Sequence, residues 1–219
     1  MILQGSWTIK EVVRKFYPLF RDINHWPTIC STVERLRPTT KRIQVKWERP
    51  PVGRLKVNTD ESYLVDSDNT GIGGIMRDHH GELIMAFAVS VQCNNNNSAE
   101  ALAVKWCYHQ GYTDFILELD SMVIVDMVTN HDSNNRKLKH IIDKILKIKN
   151  ATNFEVKHCY RECNQVADSF AKLASTTDQN QVVYSYFDLH RTSKGPFQLD
   201  KWQMPCIRSK FDKANFYVR

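Results

Sequence analysis

The chain has 219 residues, and 30 Lys and Arg against 24 Asp and Glu give it a formal net charge of +6. Its 42% hydrophobic and 25% charged residues are ordinary globular values, and with only 8 Gly and 7 Pro it is neither collagen-like nor low-complexity. This length allows one domain with long flanks or two small domains, and the basic charge favours a polyanionic partner without indicating a fold.

Neither a secretory leader nor a membrane span is predicted. Charged residues from Lys10 onward interrupt the N-terminal region before any apolar segment forms. No run of 18 uncharged apolar residues occurs, so we expect no membrane partner. The six cysteines include no C-x-x-C pair, which favours reduced thiols in a soluble nuclear or cytoplasmic protein that is not secreted.

The first 49 residues are predicted to be a basic flank with two short helices. Apolar residues recur at helical spacing over 8–21, and a second helix is predicted over 28–37, before Pro38. Pro50 and Pro51 then mark a domain boundary. Ten basic and four acidic residues give this flank a net charge of +6.

Three strands are predicted after the boundary. Alternating apolar and polar residues begin at Arg54 and predict the first strand. The second is predicted over 74–77, after a glycine-rich stretch, and the third from Leu83 to Val91, after a turn at 78–81. Their short connections favour an antiparallel meander.

The hydrophobic period then changes from strand-like to helix-like. Helices are predicted over 99–110, 121–128, 135–149 and 164–174, and strands over 115–119 and 153–158. The order βββαβααβα predicts an α/β domain over 50–178, a five-stranded mixed sheet flanked by helices. Residues 179–219 show no clear periodicity and carry a net charge of +4, so we predict a basic C-terminal tail.

Four carboxylates fall where predicted elements begin or end: Asp60, Glu100, Asp120 and Asp168. In an open sheet, the ends of strands and the starts of helices gather at one edge, where functional sites form. Each acid alone has an ordinary explanation as a cap, a dipole partner or a surface residue. Together they would repel one another unless divalent cations lay between them, and oxygen ligands suit Mg²⁺ or Mn²⁺. Paired ions of this kind are the usual apparatus of phosphodiester hydrolysis.

The chain from about Trp47 to Leu173 resembles the ribonuclease H type 1 family. More narrowly, it resembles the plant retrotransposon-derived branch described as reverse-transcriptase-like or non-LTR ribonuclease H domains. The resemblance rests on segments that occur in order: WERPP from Trp47, LKVNTD ending at Asp60, GIGGIMRD ending at Asp78, NSAEAL around Glu100, LDS around Asp120, and HCYRECNQVAD from His158 to Asp168.

The resemblance implies a ribonuclease H-like fold and endonucleolytic hydrolysis of the RNA strand of an RNA–DNA hybrid. It implies that two Mg²⁺ or Mn²⁺ ions are held by the four catalytic acids Asp60, Glu100, Asp120 and Asp168. It also implies that His158 shuttles protons or assists product release, with a structural histidine as the alternative. The Trp47 region resembles the joint that links this domain to an upstream reverse-transcriptase or zinc-binding segment, and the first of these would imply a former fusion to reverse transcriptase. We expect the chain to act as a monomer.

Six polar residues are expected to contact nucleic acid: Asn96, Asn97, Ser121, Asn164, Lys137 and Lys144. By resemblance, the two asparagines and Ser121 occupy positions that read the hybrid's minor groove and sugars. Asn164 either orients the site or caps a helix. The lysines represent the basic helix over 135–149, which is either a solvated face or a surface that follows DNA phosphates.

Glu61 departs from the family pattern, which has a small residue, most often Gly, directly after the first catalytic acid. A small residue lets the nucleic-acid backbone approach closely, whereas Glu61 adds bulk and negative charge or points away. The expected function is therefore metal-dependent hybrid hydrolysis. The alternative is a weakly active or inactive domesticated module that binds nucleic acid.

Overall fold

The computed structural model describes residues 40–64, 69–91, 104–105, 107–130, 138–177 and 180–211. Residues Gln44–Arg208 form one compact unit, and the described residues outside it, 40–43 and 209–211, are strand residues of a second unit. The helices predicted over 8–21 and 28–37 lie outside the described residues. Within the described ranges, no helix is long and apolar enough to cross a membrane.

Eight strands are described: β1 (Thr40–Val45), β2 (Leu55–Leu64), β3 (Asn69–Arg77), β4 (Leu83–Val91), β5 (Phe115–Leu119), β6 (Glu155–His158), β7 (Gln181–Val183) and β8 (Cys206–Phe211). β1 and β8 pair in a two-stranded sheet, and the others form a mixed sheet in the order β6-β5-β2-β3-β4-β7. The β2-β3-β4 meander is antiparallel, as is the pair of β4 and β7, whereas β2, β5 and β6 run parallel. The predicted α/β class is therefore confirmed.

Four helices are described in full: α1 (Met122–Asn130), α2 (Lys139–Asn150), α3 (Gln165–Thr176) and α4 (Arg191–Lys201). Residues 104–105 and 107–109 are also helical and belong to the helix predicted over 99–110. One sheet face forms a core with α1 and α2, around Phe115, Leu117 and Ile142. The other face forms a second core with α3 and α4, around Ile75 and Phe170.

β3 begins earlier than the strand predicted over 74–77, because its glycines pack against a helix. A Cβ atom on Gly71 would lie 2.1 Å from the carbonyl oxygen of Ala171 in α3. A Cβ atom on Gly73 would lie 2.1 Å from the backbone nitrogen of the same alanine. Glycine therefore lets the backbone of α3 lie directly on β3. Since Gly73 is the register partner of Asp60, this approach brings α3 over the strand that carries Asp60.

Residues 180–208 differ from the predicted tail, because they contain β7, α4 and the start of β8. β7 pairs with β4 and gives the sheet six strands where five were predicted. Leu189 and Phe197 are buried in the second core with α3. The sequence shows only weak periodicity here, because β7 has only three residues and α4 contains Gly195 and Pro196, which have poor helix propensity.

Candidate active site

The two strand-borne acids lie just past the parallel pairing of β2 and β5. That pairing ends at Asn58 and Glu118, which are register partners. Asp60 follows two residues later within β2, not near the strand's end as predicted, because β2 continues to Leu64 in its pairing with β3. Asp120 follows directly after the last residue of β5. Asp60 and Asp120 therefore each lie two residues beyond the last register pair of β2 and β5.

The third acid is held against β2 by the start of α3. Asp168 lies in the first turn of this helix. The side chain of Asn164 occupies the N-cap position without making a capping hydrogen bond. Its Nδ2 instead donates to the carbonyl oxygen of Thr59, at 2.9 Å, next to Asp60. Asn164 therefore ties the start of α3 to β2 next to Asp60.

The environment of Asp60 includes the charges of the other two acids. The pKa of Asp60 is raised to about 7, mainly by burial and to a smaller extent by the negative charges of Asp120 and Asp168. The amide of Glu61 donates to Asp60 Oδ1 at 2.8 Å and opposes this shift. Mutual repulsion of this kind arises where carboxylates from separate elements are drawn together.

Two exposed cations accompany these acids. Arg161 Nε lies 2.9 Å from Asp120 Oδ2 although its side chain is 85% exposed. Lys172 Nζ lies 2.6 Å from Asp168 Oδ2, one helical turn further along α3, and is 65% exposed. The hydrogen bond and charge of Asp120 raise the pKa of Arg161, and Asp60 and Asp168 contribute as well. Arg161 belongs to the motif quoted above, but the motif alone assigned it no role.

Three other predicted residues lie in the described ranges: His158, Ser121 and Lys144. His158 ends β6 opposite Leu119, and its ring meets that of Tyr160 edge to face at 5.4 Å. Ser121 lies between Asp120 and α1, and Lys144 is exposed on α2. The remaining predicted residues lie outside the described ranges: Asn96, Asn97, Glu100 and Lys137.

Glu61 points away from Asp60. It is the register partner of Ile72, which belongs to the core with α1 and α2, whereas Asp60 is opposite Gly73, which faces α3. The side chain is half-buried, and its Oε1 is buried without a hydrogen-bond partner. Burial, followed by the charge of Asp60, raises the pKa of Glu61 to about 7.

The described residues alone do not make a complete metal centre. Among them, no three Asp, Glu, His or Cys side chains form a group that could hold an ion. In the structure, Arg161 and Lys172 each bind one carboxylate oxygen of the site. Glu100, the fourth predicted ligand, lies outside the described residues.

The reverse transcriptase-like family matches residues 58–174, more than half of the chain. The chain belongs to this family. The matched region contains Asp60, Asp120 and Asp168, together with β3 to β6 and most of α3. α4 lies beyond it.

Similar proteins agree with this assignment. The Arabidopsis thaliana protein named "Putative ribonuclease H protein At1g65750" is 27% identical over 143 residues, which are 63% of this chain and 23% of that protein. The chain thus spans about a quarter of this relative's length. RNase H1 from the halophilic archaeon Halobacterium salinarum NRC-1 is 19% identical, with a TM-score of 0.50 over 56% of this chain and 97% of its own. LC11-RNase H1, solved in complex with an RNA/DNA hybrid, is 22% identical, with a TM-score of 0.51 over 56% and 97%. The fold is that of ribonuclease H.

Proposed function

We propose that this protein is a metal-dependent ribonuclease of retrotransposon origin that hydrolyses the RNA strand of an RNA–DNA hybrid endonucleolytically. One observation carries the proposal: Asp60 on β2, Asp120 after β5 and Asp168 on α3 belong to separate parts of the chain, and the charges of Asp120 and Asp168 add to burial in raising the pKa of Asp60. Such clustering costs stability and is typical of a functional site. The ribonuclease H fold and the family membership supply the reaction class.

The donor chemistry of the site fits a hard divalent cation. All its acids offer carboxylate oxygens, the ligands that Mg²⁺ and Mn²⁺ prefer. We propose that Asp60, Asp120 and Asp168, with Glu100, hold two such ions. Bound ions would supply a nucleophilic hydroxide and charge stabilisation for phosphodiester hydrolysis.

The protein's own groups would prepare the site for its ligands. Asn164 holds the start of α3 against β2 and so fixes Asp168 relative to Asp60. Arg161 and Lys172 are exposed and can turn away from their carboxylates when cations bind. His158 is half-buried at the end of β6, where it can exchange a proton with the leaving group or with water.

The decisive experiment measures hydrolysis of an end-labelled RNA–DNA hybrid with Mn²⁺. Asp120→Asn is expected to lower kcat by at least about 100-fold, because it removes a charged ligand from the site. Asp126→Asn is the matched control, since it alters an exposed carboxylate on α1. Equal rates for wild type and Asp120→Asn would refute the proposed assignment.

A nucleic-acid-binding module with slow turnover is the second candidate, and Glu61 is the observation that favours it. Its half-buried carboxylate adds negative charge beside Asp60 and has a buried oxygen without a partner. If this charge impairs the site, Glu61→Gly and Glu61→Gln should both raise cleavage. If bulk is the obstacle, only Glu61→Gly should do so. A fast wild-type rate that neither change improves would exclude impairment by Glu61.

A further inference from the structure

Five polar side chains form a continuous buried network of hydrogen bonds. Two of them, Asn58 and Glu118, lie two residues before Asp60 and Asp120 in the sequence. We call this set the buried polar chain: Lys56, Asn58, Arg77, Glu118 and Asp200. The first four are buried, and the Asp200 side chain is 13% exposed. Asp200 is contributed by α4, outside the region that matches the family.

The contacts run without a break from α4 to β5. Asp200 Oδ2 accepts a hydrogen bond from Arg77 Nη1 at 2.7 Å. Arg77 Nη2 donates to Asn58 Oδ1 at 2.7 Å, and Asn58 Nδ2 donates to Glu118 Oε2 at 3.0 Å. The other oxygen of Glu118 accepts from Lys56 Nζ at 2.6 Å. Two cations thus balance two carboxylates, which buried charges require.

The buried polar chain joins the strands that carry the proposed catalytic acids. Asn58 and Glu118 are register partners on the parallel strands β2 and β5. Asp60 and Asp120 each follow two residues later, and Asp60 shares a sheet face with Asn58 because side chains alternate along a strand. The hydrogen bond between Asn58 and Glu118 therefore joins β2 to β5 two residues before Asp60 and Asp120.

Residues that precede and follow the family-matched region also contact the buried polar chain or one another. Trp47 is buried; its Nε1 donates to Asn58 Oδ1 at 2.9 Å, and the guanidinium carbon of Arg77 lies 3.6 Å from its ring centroid. Gln203, just after α4, donates from Nε2 to the carbonyl oxygen of Trp47 at 2.9 Å. The Asn58 oxygen thus accepts from both Trp47 and Arg77.

We infer that α4 is a positioning element of the acid site, which acts through Asp200, Arg77 and Asn58 to hold β2 and β5 at the spacing that Asp60 and Asp120 require. Its catalytic consequence rests on the proposed function. The physical reason is that Arg77 is only 1% exposed and Asp200 is its carboxylate partner. Without this carboxylate, the buried guanidinium would have to move towards water or another anion and release Asn58.

The test compares Asp200→Asn with Lys201→Gln, a neighbouring change on the same helix. Lys201 forms an ion pair with Glu82 at 2.6 Å in a more exposed setting and does not contact the buried polar chain. Asp200→Asn is expected to lower kcat for the hybrid about tenfold or more with KM nearly unchanged, as small misplacements of reacting groups do. Lys201→Gln is expected to leave both constants unchanged.

A readout that needs no activity separates this inference from the proposed function. The Glu61 amide donates to Asp60 Oδ1, so its ¹H–¹⁵N resonance reports the position of that carboxylate. The resonance should shift in Asp200→Asn and stay in place in Lys201→Gln. A wild type without hydrolysis would refute the proposed function alone, because the resonance still tests positioning. A folded Asp200→Asn protein with an unchanged Glu61 resonance and unchanged kcat would overturn the inference.

Two further measurements apply if Asp200→Asn fails to fold. The double change Arg77→Met with Asp200→Leu removes both charges while filling the space, and it should shift the Glu61 resonance as well; an unshifted resonance contradicts the inference. Hydrogen exchange of the wild type needs no variant. Amides of α4 and those of β2 near Asn58 should open together, and independent opening of α4 would overturn the coupling.

Discussion

Glu118 and Asp120 lie two residues apart at the end of β5, yet their charges are balanced in different ways. The side chain of Glu118 faces Lys56, whose own side chain is 5% exposed, in a fixed and buried ion pair. Asp120 faces Arg161, whose side chain is almost free in solvent. The same contrast holds on β2, where Asn58 has partners on both sides and Asp60 meets two further acids.

The difference separates groups that hold the fold from groups kept ready for a ligand. In the buried polar chain, each charge has a protein partner that cannot leave without a large penalty. At the acid site, the described cations are exposed, so an incoming metal cation can displace them from the carboxylates at little cost. Substitutions at the acid site should therefore lower activity more than stability, and substitutions in the buried polar chain should lower stability more than activity.

The largest effect is expected from Asp60→Asn. It should lower hybrid hydrolysis on the order of 100-fold to 1000-fold, since it removes a carboxylate from the proposed metal site. It should not lower the free energy of unfolding, because it also removes a buried charge repelled by Asp120 and Asp168. Steady-state kinetics and urea unfolding check the two halves. A destabilised Asp60→Asn protein would show that Asp60 holds the fold together, as the residues of the buried polar chain do.

Glu118→Ala should show the reverse pattern, with stability as its main loss. The change leaves Lys56 buried without its carboxylate and Asn58 Nδ2 without its acceptor. Breaking a buried pair in this way costs about 3–5 kcal/mol. Urea unfolding gives the value, and the exposed pair of Lys172 and Asp168 provides the control. A loss of unfolding free energy below about 1 kcal/mol, which is typical of surface pairs, would show that the pair of Glu118 and Lys56 contributes no more than an exposed ion pair.

Asp60 and Glu61 contribute to the pH dependence of stability through their pKa values, which are both raised to about 7. Between about pH 4 and 7 the folded state binds more protons than the unfolded state, so stability falls as pH rises through this window. We expect a loss on the order of 2 kcal/mol per group after allowance for partial exposure.

Urea unfolding in the presence of a chelator, at several pH values, measures this slope. Asp60→Asn and Glu61→Gln should each flatten it, and the double variant should flatten it most. A pH dependence of stability that neither variant alters would show that neither carboxyl takes up a proton in the fold over this range.

The smallest effect is expected from Lys172→Ala. Its ion pair with Asp168 is an exposed i,i+4 contact, so its loss should cost no more than about 0.5 kcal/mol. The freed carboxylate should bind Mn²⁺ more tightly, by roughly twofold to threefold, as a local cation is removed. Isothermal titration with Mn²⁺ measures this change. Weaker Mn²⁺ binding would mean that Lys172 supports the site.

Much of the sheet could be predicted because its strands carry strong local signals. The strand Phe115–Leu119 has the same bounds in the structure as in the prediction. The alternation from Leu83 to Val91 also matches β4. The joint placement of acids at element ends predicted a shared site at one edge of the sheet. In the structure the charges of Asp120 and Asp168 act on Asp60, and the metal site itself stays a prediction.

Other features depend on distant contacts that no local pattern contains. The glycines of β3 look like turn residues until α3 is seen to lie against them. Asp200 looks like an ordinary polar residue of a weak helix, and only the fold brings it to Arg77. The direction of Glu61 follows from the register of β2 with β3, which the sequence leaves open.

The hydrogen bonds that tie the segment before β2 to the end of α4 have a consequence for how this unit can be joined to other chains. Arg49 Nη2 donates to the carbonyl oxygen of Lys201 at 2.7 Å, and Gln203 reaches Trp47 in the same way. The polypeptide therefore enters and leaves the compact unit at neighbouring points. Domains with adjacent entry and exit can be inserted into a loop of a host protein without separating its two halves. The adjacent ends of this compact unit meet that geometric requirement for insertion.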